Sequence, residues 1–269
     1  MYTEFGTKLF TQSPFWGVSN FVLNRAYYDT TMFEKLLKKF VGETPLIQTN
    51  RDENCPKLAS VSTVMNQNSI MPFVFRNYAL PSDRQSQYLG SCKYTLFESV
   101  RASGAAPTVF QEFCLDGMIH QDGGILVNNP CALAIHEAKL LWPNSDFQCI
   151  VSCGTGRHAP ISVAAYSSKS ISNASSVSWK TLFNRILESA TDTEAVHTML
   201  NDLLPPDVYF RFNPYLTDII PMHENKAEKI IQLREETALY IRRNEEKFVD
   251  AANNLLIKRT ATQKIKDFL

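Results

Sequence analysis

One stretch near the middle of this sequence constrains the fold more than any other. Residues 118–122 (MIHQD) have the composition of a strand, glycines follow at 123 and 124, and Asn-Asn-Pro at 128–130 leads into an apolar helix-like segment. Asn is a preferred N-cap residue, and Pro is favoured in the first turn of a helix. This order of strand, tight turn and helix predicts an α/β domain with Asp122 at the end of a strand, where α/β enzymes often hold a polar catalytic group.

The remainder of the sequence alternates between segments typical of helices and of strands, which supports the α/β class. Helices are predicted over 29–41, 94–106, 131–142 and 194–204, and strands over 57–64, 72–78, 109–115, 118–121, 147–152 and 208–212. From about residue 224 onward, apolar residues recur at helical spacing, which predicts one long helix or two. A Ser-rich stretch at 162–178 predicts a mobile surface loop, and Thr191 with Glu194 three residues later predicts a capping box.

Composition and charge exclude several classes of function. The 269 residues are 44% apolar and 20% charged with a formal net charge of +0, which is typical of a globular protein without a nucleic-acid partner. No apolar run approaches the ~18–20 residues that span a bilayer. A neutral protein can still dock on a membrane surface through an apolar patch, and we expect an intracellular protein that is peripheral to membranes.

The six cysteines are expected to be free. No two of them form a C-x-x-C pair, and several lie within apolar segments, as small core residues do. They are Cys55, Cys92, Cys114, Cys131, Cys149 and Cys153. The pattern favours buried thiols in a reducing compartment over a disulfide framework, a metal site or a catalytic cysteine.

Two aspartates each precede a glycine, and both are compatible with a role as turn formers. Asp116-Gly117 lies between two strand-like pieces, which predicts a hairpin turn. Asp122 instead lies between a strand and a helix, so that its spacing leaves both a turn and a functional carboxylate open.

Two further patterns in the sequence give only weak evidence for a functional site. His120 and Asp122 alternate along a strand and can share a face, so a metal pair with His136 as a third ligand is conceivable. Gly154-Thr155-Gly156 resembles part of a phosphate loop, but it lacks the third glycine of a dinucleotide fingerprint and the Gly-Lys-Ser/Thr of a Walker loop. We favour a tight turn after a buried strand there, and we expect no metal and no cofactor.

Several segments together resemble a known family. They are RASGAAPTVF, HQDGGILVNNPCALAIHEAKLLWP, CIVSCGTGR, SATDTEAVH and LLPPDVYFRFNP. They are similar to the patatin-like phospholipase family, and most similar to its calcium-independent phospholipases of the gamma type, in order over nearly the whole chain. The resemblance implies a three-layer α/β/α domain that is N-terminally incomplete over residues 1–222, with a C-terminal helical extension over 223–269 packed on the same domain.

The resemblance also implies a reaction. Such enzymes hydrolyse phospholipids or other acyl lipids at a membrane surface with a Ser–Asp dyad and no metal ion. The serine lies in a G-x-S-x-G elbow, near a G-G-G-x-R/K-G loop that supplies oxyanion-hole amides. The aspartate lies in a D-G-A/G motif, which matches Asp122, Gly123 and Gly124 here and makes Asp122 the expected proton acceptor.

The sequence departs from that pattern at the nucleophile. None of its ten glycines lies four positions from another, so no G-x-S-x-G motif occurs, and the G-G-G-x-R/K-G loop is absent as well. Ser19 has one glycine, Gly17, and lacks the second. We expect either an incomplete piece of an active phospholipase or a truncated protein that binds lipid or a partner without hydrolysis. An unrelated α/β enzyme that uses Ser103 or Ser152 is a third possibility.

Overall fold

The computed structural model describes residues 2–11, 14–157, 193–218, 220–221, 223–258 and 260. These residues form ten helices and seven strands. The helices are α1 Tyr2–Phe10, α2 Pro14–Asn24, α3 Thr30–Phe40, α4 Leu46–Thr49, α5 Leu96–Ser103, α6 Gly124–Val127, α7 Cys131–Leu141, α8 Glu194–Leu203, α9 Ala227–Arg243 and α10 Glu245–Leu256. The strands are β1 Ala59–Val64, β2 Met71–Arg76, β3 Leu89–Ser91, β4 Phe113–Leu115, β5 Met118–Asp122, β6 Ile150–Cys153 and β7 Tyr209–Phe212.

The described residues fall into two compact units. Those up to Ser145 form the first unit, and those from Asp146 onward form the second. The division into a domain over 1–222 and an extension over 223–269 stays a prediction.

A five-stranded sheet in the order β3-β2-β1-β5-β4 is the centre of the first unit. Strands β2 and β3 are parallel, and the other neighbours are antiparallel, so the sheet is mixed. The predicted hairpin is confirmed, because β4 and β5 join at Asp116-Gly117 with φ angles of 50° and 76°. Positive φ at both central residues is the signature of a tight two-residue hairpin turn. The helices and the sheet confirm the α/β class.

Helix α3 follows the predicted segment 29–41 closely. The Asp29 side chain caps it by accepting the backbone N–H groups of Thr31 and Met32. Its apolar face is buried in an aromatic cluster, where the Phe33 and Phe110 rings stack at 4.3 Å. A second cluster, on the sheet, includes Phe73 and Phe75 of β2 and Ala102 of α5, so helix and sheet bury their apolar faces against each other.

The second unit contains the parallel pair β6 and β7 and the two long helices α9 and α10. The segment from 224 onward thus forms two helices, which meet at Asn244. Phe212 of β7 stacks on Phe248 of α10 with the ring centroids 4.1 Å apart. Phe210 and Ala251 complete this small core.

Helix α8 begins at Glu194, as predicted, and the Glu194 carboxylate pairs with Arg157. Thr191 of the predicted capping box lies outside the described residues. Two other expectations from the sequence are corrected by the structure. Strand β6 begins only at residue 150 and alternates between buried and exposed positions, so it is not buried throughout. Cys114 and Cys153 are exposed rather than buried, and none of the six cysteines forms a disulfide. The predicted loop at 162–178 lies outside the described residues.

Candidate active site at Asp122

Asp122 is the last residue of β5, and backbone contacts hold it from both sides. It lies opposite Ser62 of β1 in the antiparallel register. Its N–H donates to the carbonyl of Ala105 at 3.0 Å, and its carbonyl accepts the hydroxyl of Thr63 at 3.0 Å. The position of this carboxylate is therefore fixed by the sheet and by the segment that follows α5.

The two carboxylate oxygens of Asp122 have different surroundings. Oδ1 accepts the backbone N–H of Gly124 at 2.7 Å, whereas no residue in the described part of the chain donates to Oδ2. Burial raises the pKa of the Asp122 carboxyl, and the Gly124 N–H opposes this only in part. A raised pKa makes the ionised carboxylate a stronger proton acceptor, with Oδ2 left to receive the proton.

Close approach requires glycine at position 123 and makes position 124 tight for any side chain. A Cβ atom on Gly123 would lie 2.2 Å from the carbonyl oxygen of Val61, which is backbone on the neighbouring strand. A Cβ atom on Gly124 would lie 3.0 Å from Asp122 Oδ1 and 3.3 Å from Asn128 Oδ1. Gly123 therefore lets the chain turn against the sheet, and Gly124 lets its N–H reach the carboxylate.

Asp116 has the opposite environment, although it too precedes a glycine. Its Oδ2 pairs with Lys93 Nζ at 2.5 Å and accepts the Tyr94 hydroxyl at 3.0 Å. The hydrogen bonds from Lys93 and Tyr94 lower the pKa of this exposed carboxyl. Asp116 is thus a turn residue with an external ion pair, which agrees with its predicted role in the hairpin.

The two histidines considered as metal ligands lie in separate surroundings. His120 is fully buried, with Nδ1 2.8 Å from Ser62 Oγ and its ring edge-on to Phe73, and burial lowers its pKa. His136 Nε2 instead accepts the backbone N–H of Gln87 at 3.3 Å. Within the described residues, no group of three or more His, Cys, Asp or Glu side chains is arranged to hold a metal ion.

The serines of the third hypothesis also differ from each other. The Ser103 carbonyl accepts the Gly123 N–H at 3.4 Å, so this residue lies beside the Asp-Gly-Gly turn. The Ser152 hydroxyl is buried and accepts Nη1 of Arg211 at 3.0 Å, within the second unit. Neither contact activates a hydroxyl as a nucleophile, because neither serine donates to a base in these bonds.

A buried ion pair anchors the helix that follows the motif, and the sequence analysis missed it. Glu137 of α7 accepts Nε of Arg76 at 2.6 Å and Nη2 at 2.8 Å. The hydroxyls of Tyr78 and Ser86 complete its shell at 3.1 and 2.7 Å. Burial raises the pKa of the Glu137 carboxyl, but the bonds from Arg76 and Ser86 outweigh burial and the pKa is lowered overall. The only signal in the sequence is a glutamate inside the apolar segment CALAIHEAKLL.

We compared the sequence of the chain with models of known protein families to identify the class to which this fold and site belong. The patatin-like phospholipase family model matches residues 1–135, which is half of the chain and includes Asp122, Gly123 and Gly124. The chain therefore belongs to the patatin-like phospholipase family. The resemblance drawn from the motifs is confirmed.

Individual curated proteins show which members of the family this chain is similar to. The chain is 45% identical over 270 residues to calcium-independent phospholipase A2-gamma of Oryctolagus cuniculus, covering 100% of this chain and 33% of the relative. The corresponding values for the Homo sapiens protein of that name are 44% over 271 residues, 100% and 34%. Phospholipase A I of Arabidopsis thaliana is 32% identical over 274 residues, with 88% and 20% covered. The chain thus spans about a third of the length of the gamma-type relatives.

Proposed function

We propose that this chain is part of a lipid acyl hydrolase in which Asp122 accepts the proton of a serine hydroxyl. The observation that supports this most directly is the asymmetry of the Asp122 carboxylate. One oxygen is held by the Gly124 N–H, the other receives no donor from the described residues, and burial makes the group more basic. The 269 residues contain no G-x-S-x-G motif, so the nucleophile would come from a segment outside them.

The proposed reaction is an acyl transfer in two stages. The serine oxygen attacks the ester carbonyl of the lipid while Asp122 Oδ2 takes its proton, and backbone amides stabilise the oxyanion. The proton then passes to the departing alcohol, which is a lysophospholipid when the substrate is a phospholipid. Water, activated by Asp122 in its turn, releases the fatty acid from the acyl-enzyme. The names of the gamma-type relatives contain "calcium-independent phospholipase", which supports a phospholipid substrate and a reaction that needs no calcium.

The exposed face of α2 supports a contact with membranes. The helix faces the protein through small and polar residues: Gly17 packs against the Tyr27 ring, and Asn20 Nδ2 donates to the Tyr28 carbonyl at 3.1 Å. Five of its large apolar side chains point outward, with Val22 and Leu23 75% and 77% exposed. They are Trp16, Val18, Phe21, Val22 and Leu23. A helix with its apolar face outward and no charged residue is suited to a lipid surface.

This apolar face is connected to the candidate site through one loop. The Tyr27 N–H, just after α2, donates to the Thr108 carbonyl at 2.8 Å. Three residues earlier in the same loop, the Ala105 carbonyl accepts the Asp122 N–H. We propose that α2 docks on the membrane and brings the Asp122 edge of the sheet close to the lipid. In the described residues no helix is both long and apolar enough to cross a bilayer.

A second candidate function is lipid binding without hydrolysis. The absence of G-x-S-x-G from these residues and the exposed face of α2 favour it. It predicts that the 269-residue protein is stable and monodisperse and binds vesicles. The first candidate predicts that a longer transcript adds the serine and the oxyanion loop.

Fatty-acid release from phosphatidylcholine vesicles tests the proposal. We expect no turnover by the pure 269-residue chain and no labelling of its serines by a fluorophosphonate probe. We expect turnover by the protein that a longer transcript encodes. Hydrolysis by the 269-residue chain that is lost on Asp122→Ala would overturn the proposal that the nucleophile lies outside it.

A further inference from the structure

Arg211 carries a buried positive charge that no carboxylate in the described part of the chain compensates. It lies on β7 and is only 6% exposed. Its Nη1 donates to Ser152 Oγ at 3.0 Å, its Nε has no hydrogen-bond partner, and among the described residues it contacts no carboxylate. A guanidinium does not lose its proton in a protein, so burial cannot neutralise this charge. A buried charge without a counter-ion is strongly unfavourable.

Two further cations lie in the same region of the second unit. Burial lowers the pKa of the His197 ring on α8, and the positive charges of Lys247, Arg211 and Arg157 lower it further, so all three cations lie near this ring. The ammonium group of Lys247 donates to the Arg211 carbonyl at 2.8 Å. Burial lowers the pKa of Lys247, and the positive charge of Arg157 lowers it further. Arg157 follows the Gly154-Thr155-Gly156 loop, and its guanidinium lies 4.3 Å from the centroid of the Tyr215 ring. These three side chains, all in the second unit, are called the basic cluster below.

One carboxylate faces the basic cluster in the described part of the second unit. Glu194 pairs with Arg157 and accepts Nδ2 of Asn213 at 3.2 Å. A second buried nitrogen, Arg157 Nε, has no partner. Counted over the described residues, three cations and one carboxylate leave two positive charges uncompensated. The cluster therefore has the charge of a site for a dianion.

The neighbouring glycine loop makes room for the basic cluster, but its backbone N–H groups are not available to a ligand. The Gly154 N–H donates to the Phe212 carbonyl at 2.7 Å, and the Gly156 N–H donates to Asn213 Oδ1 at 2.9 Å, so neither is directed at a ligand. A Cβ atom on Gly154 would lie 2.8 Å from Nη2 of Arg211 and 2.4 Å from Asn213 Oδ1. Glycine at this position lets the Arg211 guanidinium lie against the loop.

We propose that Arg157, Arg211 and Lys247 form a binding site for a phosphate group. A phosphate dianion matches the two uncompensated charges, and its oxygens suit the planar donor pattern of guanidinium groups. The phosphate belongs either to a soluble compound or to a lipid head group. The site is built without Asp122, so it stands or falls independently of the proposed hydrolase function.

Binding of inorganic phosphate to the full 269-residue chain tests the proposal. We expect millimolar phosphate to raise the thermal unfolding midpoint above that in chloride at equal ionic strength, because a ligand that binds only the folded state stabilises it. By calorimetry, Lys247→Met and Arg157→Gln should each weaken phosphate binding about tenfold or more, the loss expected for one charge-assisted contact. Lys226→Met, at an exposed lysine of the same unit, should bind as the wild type does.

The comparison of phosphate with chloride uses the wild-type protein alone, so it decides the matter even if a variant fails to fold. Equal midpoints in the two salts would overturn the proposal, as would unchanged phosphate affinity in both variants. Phosphatidylcholine vesicles with and without phosphatidic acid then distinguish the sources. If the protein binds the acidic vesicles more strongly and Lys247→Met abolishes this preference, the ligand is a lipid head group. If the protein binds phosphate but shows no such preference, the ligand is a soluble compound.

Discussion

Asp122 and Asp116 show how the same dipeptide acquires different roles from its surroundings. Both aspartates precede glycine, yet burial raises the pKa of Asp122, and hydrogen bonds from Lys93 and Tyr94 lower that of Asp116. Spacing in the sequence left a turn and a functional role open for Asp122, and only the family motif selected between them. The difference between its two oxygens depends on the fold and could not be read from the sequence.

The raised pKa of Asp122 has a consequence for stability. Because the folded-state pKa lies above the ordinary value, the ionised carboxylate lowers the free energy of unfolding at neutral pH. The Asn side chain of Asp122→Asn still accepts the Gly124 N–H but carries no charge. We therefore expect a higher melting temperature, at about 2–4 °C for each kcal/mol gained.

The advantage of Asp122→Asn should shrink with decreasing pH. It should disappear once the pH falls below the ordinary aspartate pKa of about 3.9, where both states of the wild type are protonated. Thermal unfolding of the two proteins across this pH range measures the difference. A variant that melts below the wild type at neutral pH would contradict the assigned environment of the carboxylate.

At the scale of elements, the position of α7 depends on the buried pair of Arg76 and Glu137. The Glu137→Gln substitution leaves the Arg76 guanidinium without its counter-ion in the core. We expect a loss of about 3–5 kcal/mol in the free energy of unfolding, measured with urea. Glu43→Gln, which breaks an exposed pair with Lys38, should leave the free energy of unfolding close to the wild-type value, because water screens this pair. Equal losses in the two variants would show that the buried pair has no anchoring role.

The outward apolar face of α2 should govern binding to lipid. Replacing Trp16 and Leu23 with serine removes two large apolar side chains, each of which contributes ~1.5–3 kcal/mol when fully buried. We therefore expect partitioning of the protein to vesicles to fall about tenfold or more. The matched control replaces Leu58 and Ile70, exposed apolar residues of the same unit outside α2, with serine. Flotation of phosphatidylcholine vesicles measures the effect. If the two double variants float equally well, α2 is not the docking surface.

Elements with strong periodicity or turn signals were predictable, and those defined by distant contacts were not. Helix α3, strands β1 and β2 and the β4–β5 hairpin lie where the sequence placed them. Helix α2 was missed because its apolar residues face outward, against the usual amphipathic pattern. The ion pair of Glu194 with Arg157, a partner 37 residues away, could not be read from the local sequence. The pair of Arg76 and Glu137 spans 61 residues and is likewise invisible to local patterns.

At the scale of the whole molecule, two sites are built within separate units. Asp122 and its glycines belong to the first unit, within the residues that the family model matches. The basic cluster lies entirely in the second unit. The family motif indicated the position of Asp122 in the sequence, whereas the glycine loop was interpreted as a tight turn. The charge around Arg211 became visible only once β6 and β7 were paired.

The role of Asp122 as the proton acceptor is the central claim, and one assay tests it directly. In the protein that the proposed function predicts, which includes a G-x-S-x-G serine, fatty-acid release from phosphatidylcholine is compared for Asp122→Asn and Asp116→Asn. We predict that Asp122→Asn lowers kcat about 10³-fold or more, as expected for a base that acts as a unit with its nucleophile. We predict that Asp116→Asn leaves kcat close to the wild-type value. Equal activity in the two variants would contradict the role assigned to Asp122.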